Sequence, residues 1–176
     1  MARRRSRDGW TGLPSTAGVL HAVPIGGRGS DIDHVLIGPG GVFVLNTKTH
    51  PGGKIWAGRN AIRVNGFAVP YLRYSRHEAA CAAKLHTGAV GFDVVVRPAL
   101  VFLTGTLIPD VTIKQRPDDV LILDRRDVPK AFRRASTKLD VSAVQAIYDH
   151  SRRSTTWSFS KLTGHVERLA AASDRC

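Results

Sequence analysis

The chain is short of several things whose absence is informative. Its 176 residues include two cysteines, one methionine and only two glutamates, Glu78 and Glu167. Cys81 falls in an alanine-rich helical stretch and Cys176 is the last residue, so neither a disulfide framework nor a zinc-ligand spacing is supported. That usage suits a reducing, cytoplasmic setting. No apolar run reaches the length of a membrane-spanning helix; the most apolar window, Val94 to Thr104, is interrupted by Arg97 and Pro98. The N-terminus lacks the apolar core of a signal peptide. The seven histidines show no paired metal spacing such as H-x-x-x-H, and there are no internal repeats or low-complexity stretches.

Positive charge is in excess. Twenty-six Lys and Arg against fourteen Asp and Glu give a formal net charge of +12. Such a surplus strains the compact state and favours polyanions, nucleic acid first and an anionic membrane surface second. The length predicts one domain with a proper core. Its expected divisions are a basic arm over 1–18 carrying Arg3, Arg4, Arg5 and Arg7, a main domain over 19–154, and a C-terminal tail over 155–176 with a helix around Val166 to Ala172. The arm reads as a solvated tail, with phosphate binding as the sharper alternative.

The run from Asp31 to Lys48 carries most information. It reads as two strands around Pro39-Gly40, with Pro at the first central turn position and Gly, accepting positive φ, at the second. Antiparallel pairing from that centre sets Asp33 opposite Asn46 and Asp31 opposite Lys48, all four on one face with Val35, Ile37, Val42 and Val44. The other face carries Ile32, His34 and Leu36 against Phe43, Leu45 and Thr47. A hairpin apolar on both sides is a central one, and polar groups at its open end are costly to keep there without a purpose. Oxygen ligands close together suit Mg²⁺ or Mn²⁺, and a lysine beside them can stabilise charge on a phosphate. Asp31 reads either as a further ligand or, more blandly, as the cross-strand ion-pair partner of Lys48. His50 joins the same face only if the strand continues to Pro51; otherwise it is a partly exposed polar residue.

This arrangement resembles the active site of PD-(D/E)xK nucleases, and within that superfamily the run is similar to the nuclease-related domain (NERD) family. Thr49-His50-Pro51-Gly52-Gly53-Lys54, Val64-Asn65-Gly66 and Pro70-Tyr71-Leu72-Arg73 share the likeness, which covers roughly His21 to Asp124. The resemblance implies that Asp33 is the metal-binding aspartate, Lys48 the catalytic lysine and the Thr47 carbonyl a further ligand. Asn46 stands where the second acid belongs, which keeps an oxygen but removes a charge. The acid-bearing helix that opens the wider superfamily's fold has no counterpart before Leu13-Pro14, where Asp8 is the only acid; either that helix is lost or the chain starts inside the fold.

Beyond the hairpin, Val19 to Ile25 reads as a strand and Gly26-Gly27-Arg28-Gly29 as a loop. Residues 54–57 and 61–64 read as a second hairpin, followed by a tight turn at Asn65-Gly66. The segment from Pro70 to Thr87 is helical, with Ser75-Arg76-His77-Glu78 as a capping box, so that Glu78 is a cap rather than a ligand. Arg73 and Arg76, at i and i+3, share a face and with Lys54 are the expected DNA-backbone contacts. Pro98 predicts a bulge or an edge in the strand that follows. Short helices begin at Asp127-Val128-Pro129 and at Ser142.

The expected fold is α/β, with α+β character: a restriction-endonuclease-like mixed sheet of about five strands, its central hairpin flanked by helices. The expected function is DNA binding, with metal-dependent phosphodiester hydrolysis impaired by Asn46 and the missing upstream acid. The alternatives are a nucleic-acid-binding module without chemistry and a protein-interaction module on the same scaffold.

Overall fold

The structure, a computed structural model, describes residues 17–25, 30–103 and 111–157. The basic arm, the Gly26–Gly29 loop and the C-terminal helix expected around 166–172 lie outside the described residues. Among the described residues the strands are β1 (Gly18–Ile25), β2 (Ser30–Gly38), β3 (Gly41–Thr49), β4 (Ile55–Ala57), β5 (Ile62–Val64), β6 (Phe67–Val69), β7 (Val96–Leu103), β8 (Val111–Ile113) and β9 (Leu121–Asp124). The α-helices are α1 (Tyr71–Val90), α2 (Val128–Arg133) and α3 (Val141–Ser151).

The main sheet has five strands in the order β1-β2-β3-β7-β9, antiparallel through β3 and parallel from there to β9. The expected mixed five-stranded sheet with its central hairpin is therefore present. A second sheet, β6-β5-β4-β8, was not expected as a separate layer. Val35, Ile37, Val42 and Val44 face α1 and α3, while Leu36, Phe43 and Leu45 pack on the opposite side with Val128 and Phe132 of α2. The second sheet's Ile55, Ala57 and Ile62 pack with Leu72, Leu100, Phe102 and Ile122.

The β2–β3 register matches the expectation, with Ile37 against Val42 and Val35 against Val44, but the ladder ends at His34 and Leu45. Ile32 corrects the simple alternation, because it packs in the same cluster as Val35 and Ile37 rather than with Leu36. On β1 the same cluster holds Leu20 and Val23, three residues apart, with Ala22 at φ 49° between them. Strict alternation cannot place both on one face, so the phase shifts around Ala22 and Asp33. The turn differs too. Positive φ falls at Gly41 (118°), not Gly40. Gly40 is small for another reason: a Cβ there would lie 2.6 Å from the Ala135 Cβ.

Pro98 lies inside β7, paired with Val44, but β9 starts pairing only at Ala99. On that side Pro98 occupies an edge position, which is where a residue without an N–H is tolerated. The expected capping box is overturned. α1 begins after Pro70, so Ser75 lies within the helix, buried and with its Oγ unpartnered, and Glu78 caps nothing. The Asn65-Gly66 turn joins β5 to β6, both residues having positive φ as a type I′ turn requires. α3 is capped by Asp140, whose carboxylate accepts the Ala143 N–H. No helix among the described residues is long and apolar enough to cross a membrane.

Candidate functional site

The site arises where β3 outruns β2. From Asn46 to Thr49, β3 is held on one side by the parallel ladder to Leu100, Val101, Phe102 and Leu103 of β7. On its other side the ladder to β2 has ended, and the Asp33 carboxylate takes the place of a strand, accepting the Thr47 N–H at 2.6 Å. Asp33 is thus brought to Asn46–Lys48 by a side-chain contact rather than by direct strand pairing. In a strand a residue's N–H and C=O point to the same edge, so the Thr47 carbonyl also faces the Asp33 side.

Asn46 is 5 % exposed and donates through Nδ2 to the Glu78 carboxylate on α1. Glu78 therefore reaches the site from above, and it corrects the reading that made it a cap. Burial pushes its carboxyl pKa up, the Asn46 hydrogen bond and the Lys48 charge oppose that rise, and Asp33 adds to it. Those influences place Asp33, Asn46, Lys48 and Glu78 in one electrostatic neighbourhood. Asp31 is exposed and pairs in β1–β2 with Pro24; it makes no ion pair with Lys48.

β3 ends at Thr49, so His50 lies just beyond the strand; its backbone N–H donates to the Leu103 carbonyl at 2.8 Å and its Nε2 is 3.1 Å from the Tyr71 Oη. Lys48 Nζ lies 5.2 Å from the centre of the Tyr71 ring. The first residue of α1 thus gathers Lys48 of β3 and His50, which follows the strand.

The expected backbone contacts fare differently. Arg76 is committed to Asp119 by two hydrogen bonds of 2.6 and 2.8 Å, which raise its pKa and lower that of Asp119. Arg73 is exposed beside the Tyr74 ring, and Lys54 is exposed while its backbone N–H binds the Asn65 Oδ1. Arg73 and Arg76 therefore do not form a shared free basic face.

A family model for the nuclease-related domain matches residues 9–103, which include the hairpin and all of α1. The chain belongs to the nuclease-related domain family. Among curated proteins and solved structures nothing matches it.

In this nuclease-related domain, no group of three or more His, Cys, Asp and Glu side chains converges among the described residues. The donor set is leaner: carboxylates from Asp33 and Glu78, the Asn46 amide oxygen and the Thr47 carbonyl. Each carboxylate spends one oxygen on a hydrogen bond and keeps another, and Asn46 bonds through nitrogen, leaving Oδ1. Such oxygens fit a hard divalent cation, with fewer charges than a fully acidic site. The sequence carried a signal for Glu78 that the S-x-x-E pattern obscured. On α1, Leu72, Ser75, Ala79, Ala82 and His86 form the buried stripe, and Glu78 sits at its margin.

Proposed function

We infer that this nuclease-related domain binds DNA and acts as a weak, metal-dependent phosphodiesterase, with Glu78 supplying the acid that Asn46 lacks. The observation that carries this reading is the hydrogen bond between Asn46 and Glu78, which sets a carboxylate from α1 beside Asp33 and Lys48. The proposed ligands of Mg²⁺ or Mn²⁺ are Asp33, Glu78, the Asn46 Oδ1 and the Thr47 carbonyl. When bound, the cation would polarise the phosphodiester and offset negative charge developing on it.

The chain's own groups divide the remaining work. Asp33, pinned by the Thr47 N–H, supplies a fixed negative charge at the strand end. The Lys48 ammonium, above the Tyr71 ring, is placed to bind a phosphate oxygen and to stabilise its growing charge. Asn46 cannot take a proton from water, and burial favours the protonated form of Glu78. Both features weaken proton abstraction and metal binding, so turnover should be slow. The same amide–acid pair also suits a reading in which the domain binds nucleic acid without chemistry.

Calorimetry with Mn²⁺ and plasmid nicking separate the two readings. Asp33→Asn and Glu78→Gln should each weaken Mn²⁺ binding at least tenfold, and Lys48→Ala should abolish nicking while leaving Mn²⁺ bound. If Glu78→Gln binds Mn²⁺ like the wild type, the proposed ligand set is wrong. Nicking that persists in Lys48→Ala would dismiss the hydrolytic role.

A further inference from the structure

From the carboxyl end of the main sheet a second basic feature leads back along α2 towards the β2–β3 turn, where Arg133 lies beside Gly38–Gly41. Lys48 pairs with Phe102 on β7, and Phe102 pairs with Asp124 at the end of β9. Two strand spacings separate Lys48 from Asp124, roughly 10 Å. A single 3₁₀ turn, Arg125–Asp127, then leads into α2. On α2, Val128 and Phe132 are buried against the sheet, while Lys130, Arg133 and the following Arg134 are exposed. Their i, i+3, i+4 spacing puts the three cations on one helical face.

Among the described residues this face has no ion-pair partner. Asp118 pairs with Arg59, Asp119 with Arg76, and Asp124 lies 3.9 Å from Arg126. Asp140 is spent on the N-terminus of α3. Among the described residues no carboxylate pairs with Arg125, Lys130, Arg133 or Arg134. Cations at a helix C-terminus do complement its dipole, but like charges three and four residues apart repel one another. Gathering three of them there is favourable chiefly when a polyanion covers them. Beside them, Lys130, Arg134 and Arg116, together with the acids Asp124 and Asp127, line a groove of about 430 Å³ between α2, β8 and the outer edge of β9. The Arg116 guanidinium closes part of that edge by donating to the Ile122 carbonyl.

We propose that Arg125, Lys130, Arg133 and Arg134 form a track for a nucleic-acid backbone, running from Lys48 over the carboxyl ends of β7 and β9 to Arg125 and then back along α2 towards the β2–β3 turn. The track rests on the proposed DNA-binding function and gives it a direction: phosphates flanking the one at Lys48 run towards α2, not along Arg73 and Arg76. Each phosphate contact steepens the decline of log affinity with log salt by about 0.9 for a duplex and about 0.7 for a single strand.

The test uses the full chain, with fluorescence anisotropy of labelled single-stranded and duplex DNA at several salt concentrations. Lys130→Ala/Arg133→Ala/Arg134→Ala should bind at least tenfold more weakly at low salt, with a slope shallower by about 2–3. The charge-preserving Lys130→Arg/Arg133→Lys/Arg134→Lys should bind as the wild type does, which excludes a merely structural loss. The arm with the larger change identifies the form that follows the track. If the triple alanine variant, folded by circular dichroism, keeps wild-type affinity and slope while the wild type binds DNA, the track is refuted and the nuclease-like site stands. A wild type that binds no DNA overturns both. A wild type that binds polyglutamate but not DNA overturns the track in favour of an acidic protein partner.

Discussion

Acidification should loosen the helix that carries Glu78, and His86 is the group through which it acts. His86 is completely buried in α1, edge-on to Trp157 with ring centres 4.9 Å apart. Its Nδ1 lies 3.3 Å from the Ser151 Oγ, and its Nε2 has no partner. Burial lowers its pKa from 6.5 to about 4. The folded protein therefore holds the neutral ring, whereas the unfolded chain takes up a proton as the pH falls through 6.5. The stability at stake is complete above that pH and is lost on descending to about 4. A gap of about 2.5 units at 1.36 kcal/mol per unit makes the full loss about 3.4 kcal/mol. Glu78 works in the opposite sense. Its carboxyl pKa is raised on folding, so its contribution exists at low pH and disappears as the pH rises through the folded value.

Comparing the wild type with His86→Leu isolates the histidine from Glu78 and every other titrating group. Leucine removes both the titration and a buried nitrogen without a partner, whose desolvation costs about 1–3 kcal/mol. Near pH 7.5 the variant should therefore lie within about 2 kcal/mol of the wild type. Urea unfolding followed by circular dichroism, repeated down to about pH 4.5, should show the difference moving by about 2–3 kcal/mol in favour of His86→Leu. Parallel pH profiles for the two proteins would refute the argument.

Other substitutions test the site and its frame. Asn46→Asp sets a second carboxylate against Glu78, so it should lower the melting temperature without metal and enlarge the rise produced by Mn²⁺, with little gain in nicking. Arg76→Ala breaks an exposed pair with Asp119, so chemical denaturation should register no more than about 1 kcal/mol and DNA affinity should barely change. Gly40→Ala drives a methyl group into Ala135, and denaturant midpoints should report a loss of about 1–3 kcal/mol.

Local chemistry settled much of this protein in advance. The unbroken apolar runs on either side of Pro39-Gly40 were enough to place a doubly buried hairpin at the centre of a mixed sheet, because burial on both faces leaves a strand pair few alternatives. Asn65-Gly66 likewise specified its turn, since positive φ at two successive positions selects such residues. The family likeness was legible in the same stretch. Tertiary structure decided the rest. Ser75 and Glu78 have the spacing of a capping box, but α1 starts at Tyr71, and burial of its small-residue stripe turns Glu78 towards Asn46. Arg76 looked free until the fold brought Asp119, 43 residues away, against it. Gly40 fits a turn on paper, yet its neighbour Gly41 takes the positive φ, while the close approach of Ala135 constrains Gly40. In each case the deciding partner is distant in sequence. Spacing can fix which face a side chain occupies, but only packing determines what that face meets.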